Sequence, residues 1–260
     1  MDARAAKRRR NGKHRSMLAS ALGLEPDEPI GSDRLLLVSD TLGGDGGFLV
    51  SHFASLALKA RQSVVLVAAQ NTESHHRRVF RKLGVDEDKL KHLHVIHALQ
   101  LHGEGAKGTK ARDVGAILLE RIRTCVEGTV DECACIVFDS LTALGCRLQT
   151  PAKQLDFMHT FFRTIQACSK ACSCVARAHR DVGDEELHLA WEYEATYICV
   201  VNGLETGTAR DVHGQILASS SAGTHVSRHD QEWDDRLGFV SRFRYHLGDR
   251  DISFFKSLHP

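Results

Sequence analysis

The sequence predicts an α/β fold: a central, mostly parallel sheet with helices on both faces and antiparallel strands added at its C-terminal side. Three observations carry this reading. Short apolar runs alternate with amphipathic stretches from about residue 35 to residue 178, the order that builds parallel sheets. Several of those runs are apolar throughout, as strands covered on both faces are. Beyond Ala195 the pattern changes to short β-like runs separated by turns. One domain is expected over residues 30–260, preceded by a basic arm over residues 1–29 that reads as disordered.

The elements follow in order. Leu35 to Val38 is a short apolar run ending at Ser39-Asp40. A glycine-rich turn follows, Gly43-Gly44-Asp45-Gly46-Gly47. Leu49, Phe53, Leu56 and Ala60 then recur at three- and four-residue spacing, which makes strand, turn, helix. Val64 to Ala69 is a second buried strand. A charged helix runs from Glu73 to Leu83 and stops at Gly84. Leu93 to Ile96 is a third strand, Leu101 to Lys110 a loop, and Val114, Ile117, Leu118, Ile122 and Val126 a helical face. Cys135 to Phe138 forms a buried strand ending in Asp139. Thr150-Pro151 opens a helix, with Thr as cap and Pro in the first turn. Its buried stripe is expected at Leu155, Met158, Phe162 and Ile165. Cys172 to Ala178 is a further strand. Thr196–Val201, Gln215–Ser219, Phe239–Tyr245 and Ile252–Phe255 are the later strands.

Composition narrows the function classes. Hydrophobic residues make up 42% and charged residues 26%, enough apolar surface to order the chain. No apolar run approaches the ~18 residues that cross a bilayer, and no secretory signal follows the charged start. The formal charge of +1 hides an asymmetry. Residues 1–16 hold Arg4, Lys7, Arg8, Arg9, Arg10, Lys13 and Arg15 against Asp2, a net of +6, and the remainder carries −5. That body argues against broad nucleic-acid binding by charge alone. The arm reads as a solvated tail, an import signal or an RNA contact. The eight cysteines contain no CxxC pair and read as reduced, buried thiols. Cys168, Cys172, Cys174 and His179 can be drawn as a zinc site but lack paired-knuckle spacing, so no metal is expected.

Strand, glycine turn and helix are the setting of a phosphate loop, in which backbone N–H groups cradle phosphate. A Lys reaches the outer phosphates and a Ser or Thr holds magnesium. Laid on GxxxxGK[ST], Gly46 takes the last glycine, Gly47 the Lys position and Phe48 the Ser/Thr position. Asp45 adds negative charge where phosphate would sit. Asp139 stands where a magnesium-organising acid would be. The turn Gly43, Gly44, Gly46, Gly47 therefore reads as a tight strand-to-helix connection, with no cofactor and no catalytic residue assigned.

Cys135 to Leu144 resembles the Walker B region of RecA-like ATPases, and Arg81 to Asp86 the helix end after their second strand. A sharper likeness lies in Gly203-Leu204-Glu205-Thr206-Gly207-Thr208-Ala209-Arg210-Asp211-Val212-His213-Gly214-Gln215. With the ending Ile252-Ser253-Phe254-Phe255-Lys256 and the loop Asp45 to Val50, it is similar to the Elongator complex protein 6 family. That resemblance implies a RecA-like fold without working Walker motifs, a pseudo-ATPase. It implies a non-catalytic subunit in a hetero-hexameric ring with Elongator complex proteins 4 and 5. The ring joins the catalytic lobe, binds tRNA and supports wobble-uridine modification in the cytoplasm, with the nucleus as a second compartment. No membrane contact is implied.

Candidate surfaces follow from the resemblance. Gly207, Arg210, Asp211 and His213 are candidates for a subunit interface, Arg210 through bidentate contacts to a neighbour. The loops after the fourth and fifth strands, roughly Gly145 to Lys153 and Arg177 to Asp184, face the channel in RecA-like rings. Their Arg147, Lys153, Arg177, His179 and Arg180 are candidate RNA contacts, although no aromatic residue is interleaved for base stacking. The alternative function is an active RecA-like ATPase of the recombination type, against which the missing Lys stands.

Overall fold

The computed structural model describes residues 17–24, 30–31, 34–101, 113–148, 150–182, 185–204, 207, 209–220, 232–234 and 238–256. The chain order is α1 (Met17–Ala21), β1 (Leu35–Asp40), α2 (Gly47–Lys59), β2 (Ser63–Ala68), α3 (Glu73–Lys82), β3 (Leu93–His97) and α4 (Val114–Gly128). There follow β4 (Cys133–Phe138), α5 (Leu141–Leu148), α6 (Pro151–Gln166), β5 (Ala171–His179), α7 (Glu185–Glu194) and β6 (Tyr197–Asn202). The chain closes with β7 (Gly214–Ser220), β8 (Glu232–Asp234), β9 (Gly238–Leu247) and β10 (Ile252–Lys256).

These strands form one sheet in the order β10-β9-β7-β6-β1-β5-β4-β2-β3, with β8 beside β9. β1 lies parallel to β5 and β6, and β2 parallel to β3 and β4. β7, β9 and β10 join antiparallel. All six residues of β1 and of β2 are buried, which explains why their sequences are apolar without alternation. Alternate side chains feed two cores. One packs α1, α2 and α3 on the sheet through Leu36, Val38, Phe53 and Phe80. The other packs α4 to α7 through Leu37, Ile136, Phe138, Phe161 and Trp191.

Local signals set the element ends. Thr72 and Thr150 cap α3 and α6 by accepting from His75 and Lys153 N–H, and Asp113 caps α4 at Gly115. Gly84 ends the α3 turn at φ +76°, a conformation that favours glycine.

The structure departs from the sequence expectations in four places. Residues 17–24, assigned to the arm, carry α1, and Leu18, Leu22 and Leu24 are buried in the core. Gly145 to Leu148 are helical within α5, and Arg177 to His179 belong to β5, so neither expected channel loop begins where the sequence placed it. α7 was not expected; its EELHLAWEYE has a broken apolar stripe. In α6 the fully buried set is Phe157, Met158, Phe161 and Ile165. Phe161 meets Phe138 of β4, while Phe162 is only partly buried and meets Trp191 of α7. α6 thus packs against both the sheet and a neighbouring helix, and needs a wider apolar face than one stripe. The expected loop at Leu101 to Lys110 lies outside the described residues after Leu101.

Candidate functional site

The glycine turn joins β1 to α2 at the C-terminal ends of the parallel strands, the edge where open α/β sheets bind ligands. Its last two glycines are held by the chain's own side chains. Gly46 N–H donates to Asp40 Oδ2 at 2.6 Å, and Gly47 N–H donates to Asp45 Oδ1 at 2.8 Å. These are the backbone donors a phosphate would need, and two carboxylates hold them. Negative charge at the start of α2 also suits the helix dipole.

The cation comes from β5. Register pairs Val38 with Arg177 and Asp40 with His179. The Arg177 guanidinium is buried beneath the turn. Its Nε lies 2.7 Å from Asp40 Oδ2, its NH2 2.8 Å from Asp45 Oδ1, and its NH1 3.4 Å from Gln70 Oε1. His179 Nδ1 faces Asp40 Oδ1 at 2.6 Å. Asp40 is fully buried, whereas the Asp45 side chain is 80% exposed. Two carboxylates therefore share one guanidinium under the loop. Burial pushes the Tyr245 phenol up, and the charges of Asp45 and Asp40 add to that shift.

The glycines are there for close packing. A Cβ on Gly44 would lie 2.8 Å from the carbonyl carbon of Asn202, and one on Gly46 2.7 Å from Val38. A Cβ on Gly47 would press on Arg177 at 2.9 Å. Gly203 in turn backs onto the Gly43 carbonyl, so the end of β6 clamps the turn. Phe48, in the hydroxyl position of the motif, packs on Tyr245 with ring centroids 4.5 Å apart.

Asp139 is likewise committed. Its carboxylate accepts from the N–H groups of Ala69, Gln70 and Asn71 at 2.7–3.1 Å and lies 3.2 Å from His76 Nε2. Burial pushes its carboxyl up, but His76 and the three backbone donors outweigh that and hold it below the usual range. The acid after β4 ties the β2–α3 turn in place.

The other sequence candidates are distributed as follows. Arg177 is buried against Asp40 and Asp45, and His179, partly exposed, lies beside Asp40. Arg147 donates from NH2 to the Leu101 carbonyl at 3.0 Å. Lys153 is exposed and Arg180 half-buried. Gly207, Arg210 and Asp211 are exposed in the β6–β7 connection, ahead of the strand rather than in it, with Gly207 at φ +83°. His213 accepts from Leu247 N–H at 3.0 Å and stacks near His246, pinning β7 to β9. The proposed cysteine–histidine group does not converge, because about 20 Å of strand separates Cys172 from His179. Among the described residues no His, Cys, Asp and Glu group could hold a metal ion. Burial pushes Cys135 up to about 11 and Cys199 up to about 12, so both stay thiols. Ser39, His188 and Glu192 form a buried cluster, but Ser39 and Glu192 both face His188 Nε2, which rules out a proton relay across the ring.

Sequence reasoning missed Asp40 as the centre of the site. The signal was an arginine inside the otherwise apolar run Cys172 to Ala178, since a buried guanidinium demands a buried acid.

Fold and loop together define a class: a RecA-like domain whose phosphate-loop position is filled by its own side chains. A KaiC-like protein from Pyrococcus horikoshii shares this fold with a TM-score of 0.54 at 12% identity, over 86% of this chain and 90% of its own. The family model for Elongation complex protein 6 matches residues 16–107. Elongator complex protein 6 of Xenopus laevis is 28% identical over 92% of this chain and 95% of its own length. Those of Rattus norvegicus and Homo sapiens are each 27% identical, over 92% and 83% of this chain and 95% and 88% of their own. The chain is thus similar to the Elongator complex protein 6 family over most of its length, as the three sequence segments implied.

Proposed function

We propose that this chain is a non-catalytic subunit of an Elongator complex. It forms a hetero-hexameric RecA-like ring with Elongator complex proteins 4 and 5, joins the catalytic lobe, and supports wobble-uridine modification by binding tRNA through the assembled ring. The carrying observation is the filled loop. Gly46 and Gly47 N–H are satisfied by Asp40 and Asp45, and the buried Arg177 guanidinium pairs with both carboxylates. A nucleotide would have to displace two carboxylates that already hold a guanidinium. The similarity to Elongator complex protein 6 supports the assembly part of the reading.

Within the ring, exposed Arg210 and Asp211 are assigned to a subunit contact, and Lys153 and Arg180 to tRNA phosphate. Among the described residues no helix is long and apolar enough to cross a membrane. The test is co-expression of the full chain with the two sister subunits, followed by tRNA titration of the purified assembly at several salt concentrations. Co-elution at a mass of two copies of each subunit and a salt-dependent tRNA affinity are expected. Elution of the chain alone, with the sister subunits folded, would overturn the proposal.

A further inference from the structure

Cross-strand register divides the side chains of the antiparallel strands between two faces. Ile216, Phe243, Tyr245 and Phe254 share one face and enter the core beneath α1 and α2. Gln215, Arg242, Arg244, His246, Ser253 and Phe255 share the other. Toward β8 that second face closes, with Val240 buried. At the β9–β10 end it is open. Arg244 is exposed, Phe255 is 47% exposed and joins neither core, and Arg242, His246 and Ser253 are half-buried. Register sets Phe255 directly opposite Arg244, and Arg242 follows on the same face of β9 about 7 Å along the strand. Arg242 NH1 donates to Gln215 Oε1 at 3.5 Å, which lays that guanidinium along the sheet, while Arg244 has no ion pair among the described residues.

The charge of this corner opposes that of the body around it. Residues 17–260 carry −5, yet the β9–β10 hairpin holds Arg242, Arg244, Arg250 and Lys256 against Asp249 and Asp251. No Asp or Glu occurs in β6, β7, β9 or β10. Both hairpin acids lie in the turn, and Asp251 folds its carboxylate back over Gly248. Lys256 belongs to the opposite face, in register with Phe243, and β8 with Glu232 and Asp234 pairs at the far end of β9. The open corner therefore presents two guanidiniums, an imidazole and an aromatic ring. An acidic protein segment would pair with the arginines but offers the ring no flat partner. A nucleotide chain uses both, its bases stacking on the ring and its phosphates taking the cations, as on RNA-binding sheets.

We infer that the open face of β9 and β10 around Phe255 binds unpaired RNA. A base stacks on Phe255, and Arg244 and Arg242 hold neighbouring phosphates. His246 and Ser253, paired in register beside them, offer hydrogen-bonding groups to the base edge. Stacking on a ring tolerates any base, so the contact adds affinity with little sequence preference. One ring and two cations make a small contact, which supplements the Lys153 and Arg180 contact rather than replacing it. This inference rests on the tRNA-binding part of the reading above.

The test titrates the purified full chain, alone and assembled with the two sister subunits, into labelled oligouridine of about 12 nucleotides, at salt from about 50 to 300 mM, read by fluorescence anisotropy. Arg244→Gln is expected to weaken binding severalfold at low salt and to flatten the slope of log affinity on log salt by about 0.7. Phe255→Leu keeps apolar area and removes the ring, so binding about fivefold weaker at every salt, with an unchanged slope, is expected. Both positions are exposed, and unchanged circular dichroism shows that the variants fold. Wild-type affinity in both variants overturns the sheet contact; a loss of tRNA affinity in Lys153→Gln/Arg180→Gln then leaves the tRNA reading standing without it. A loss in Arg244→Gln alone, with equal competition by polyglutamate, assigns the face to an acidic protein segment and overturns the RNA contact. No RNA binding by the unaltered chain or its assembly overturns the tRNA reading, and this contact with it.

Discussion

Replacing Arg177 by Met separates the filled loop from an ordinary surface ion pair. Met keeps the stem volume and deletes the guanidinium. Asp40, fully buried, then loses the Nε contact at 2.7 Å and retains only Gly46 N–H and His179 as neighbours. Breaking a buried pair from one side costs about 3–5 kcal/mol, because the remaining charge stays desolvated. Against a typical total of about 5–15 kcal/mol this is a large fraction. For a chain of this size it corresponds to a melting shift of about 10 °C. Asp40→Asn leaves Arg177 paired with Asp45, so its cost is smaller, and in the double variant Asp40→Asn/Arg177→Met the stranded charge disappears. The double variant is therefore more stable than the sum of the singles by about 2 kcal/mol. Urea denaturation followed by circular dichroism reads all four corners of the cycle. A loss below about 1 kcal/mol for Arg177→Met, or additive singles, would refute the claim that this cluster holds the turn shut.

Asp45→Ala is expected to cost less than about 1 kcal/mol in the same assay despite its short contact to Arg177, because its carboxylate is largely in water; a cost equal to that of Arg177→Met would show the loop is held from outside. Gly44→Ala forces a methyl to 2.8 Å from the Asn202 carbonyl carbon, so thermal denaturation should show a loss of about 1–3 kcal/mol, whereas Gly128→Ala, with open space around it, should not. Asp139→Asn exchanges a carboxylate held by three backbone donors for an amide that cannot accept them all, and a loss of about 2–3 kcal/mol is expected from the urea midpoint. His52, edge-on to Phe53 and Phe254, is lowered to about 4 by burial, with Lys59 adding to the shift. Between pH 6.5 and 4 the unfolded chain binds a proton that the folded chain refuses, so its contribution is intact above 6.5 and is lost as pH falls to about 4. His52→Leu should remove about 2 kcal/mol of that pH dependence, and an unchanged stability profile in that range would contradict the assignment.

The parallel core was legible because each strand is buried on both faces and must be apolar throughout. Leu35–Val38 and Val64–Ala69 admit no other reading at that length. The helix start at Thr150 was legible as a cap, whereas the Thr72 and Asp113 caps emerge from the structure. α5 and α7 were less so: Leu141-Thr142-Ala143-Leu144 continues an apolar strand without a turn residue, and α7 interrupts its stripe with His188 and exposes Leu189 and Tyr193. The departure from the phosphate-loop motif at Gly47 and Phe48 could be read from the sequence alone. What fills the loop could not, because Asp40 and Arg177 are 137 positions apart in the chain. Only the β1–β5 register brings them together, and sequence spacing says nothing of register. For the same reason Arg177 and His179, set near a predicted channel loop, looked like surface cations.

With the loop after β1 filled by Asp40, Asp45 and Arg177, we infer that no place for a nucleotide is left. Isothermal titration of the purified full chain with magnesium-ATP tests it most directly. No binding heat is expected at millimolar nucleotide, with the chain shown to be folded by circular dichroism in the same buffer. A saturable isotherm in the micromolar range, lost on replacing Arg177, would contradict the account and return the glycine turn to service as a phosphate site.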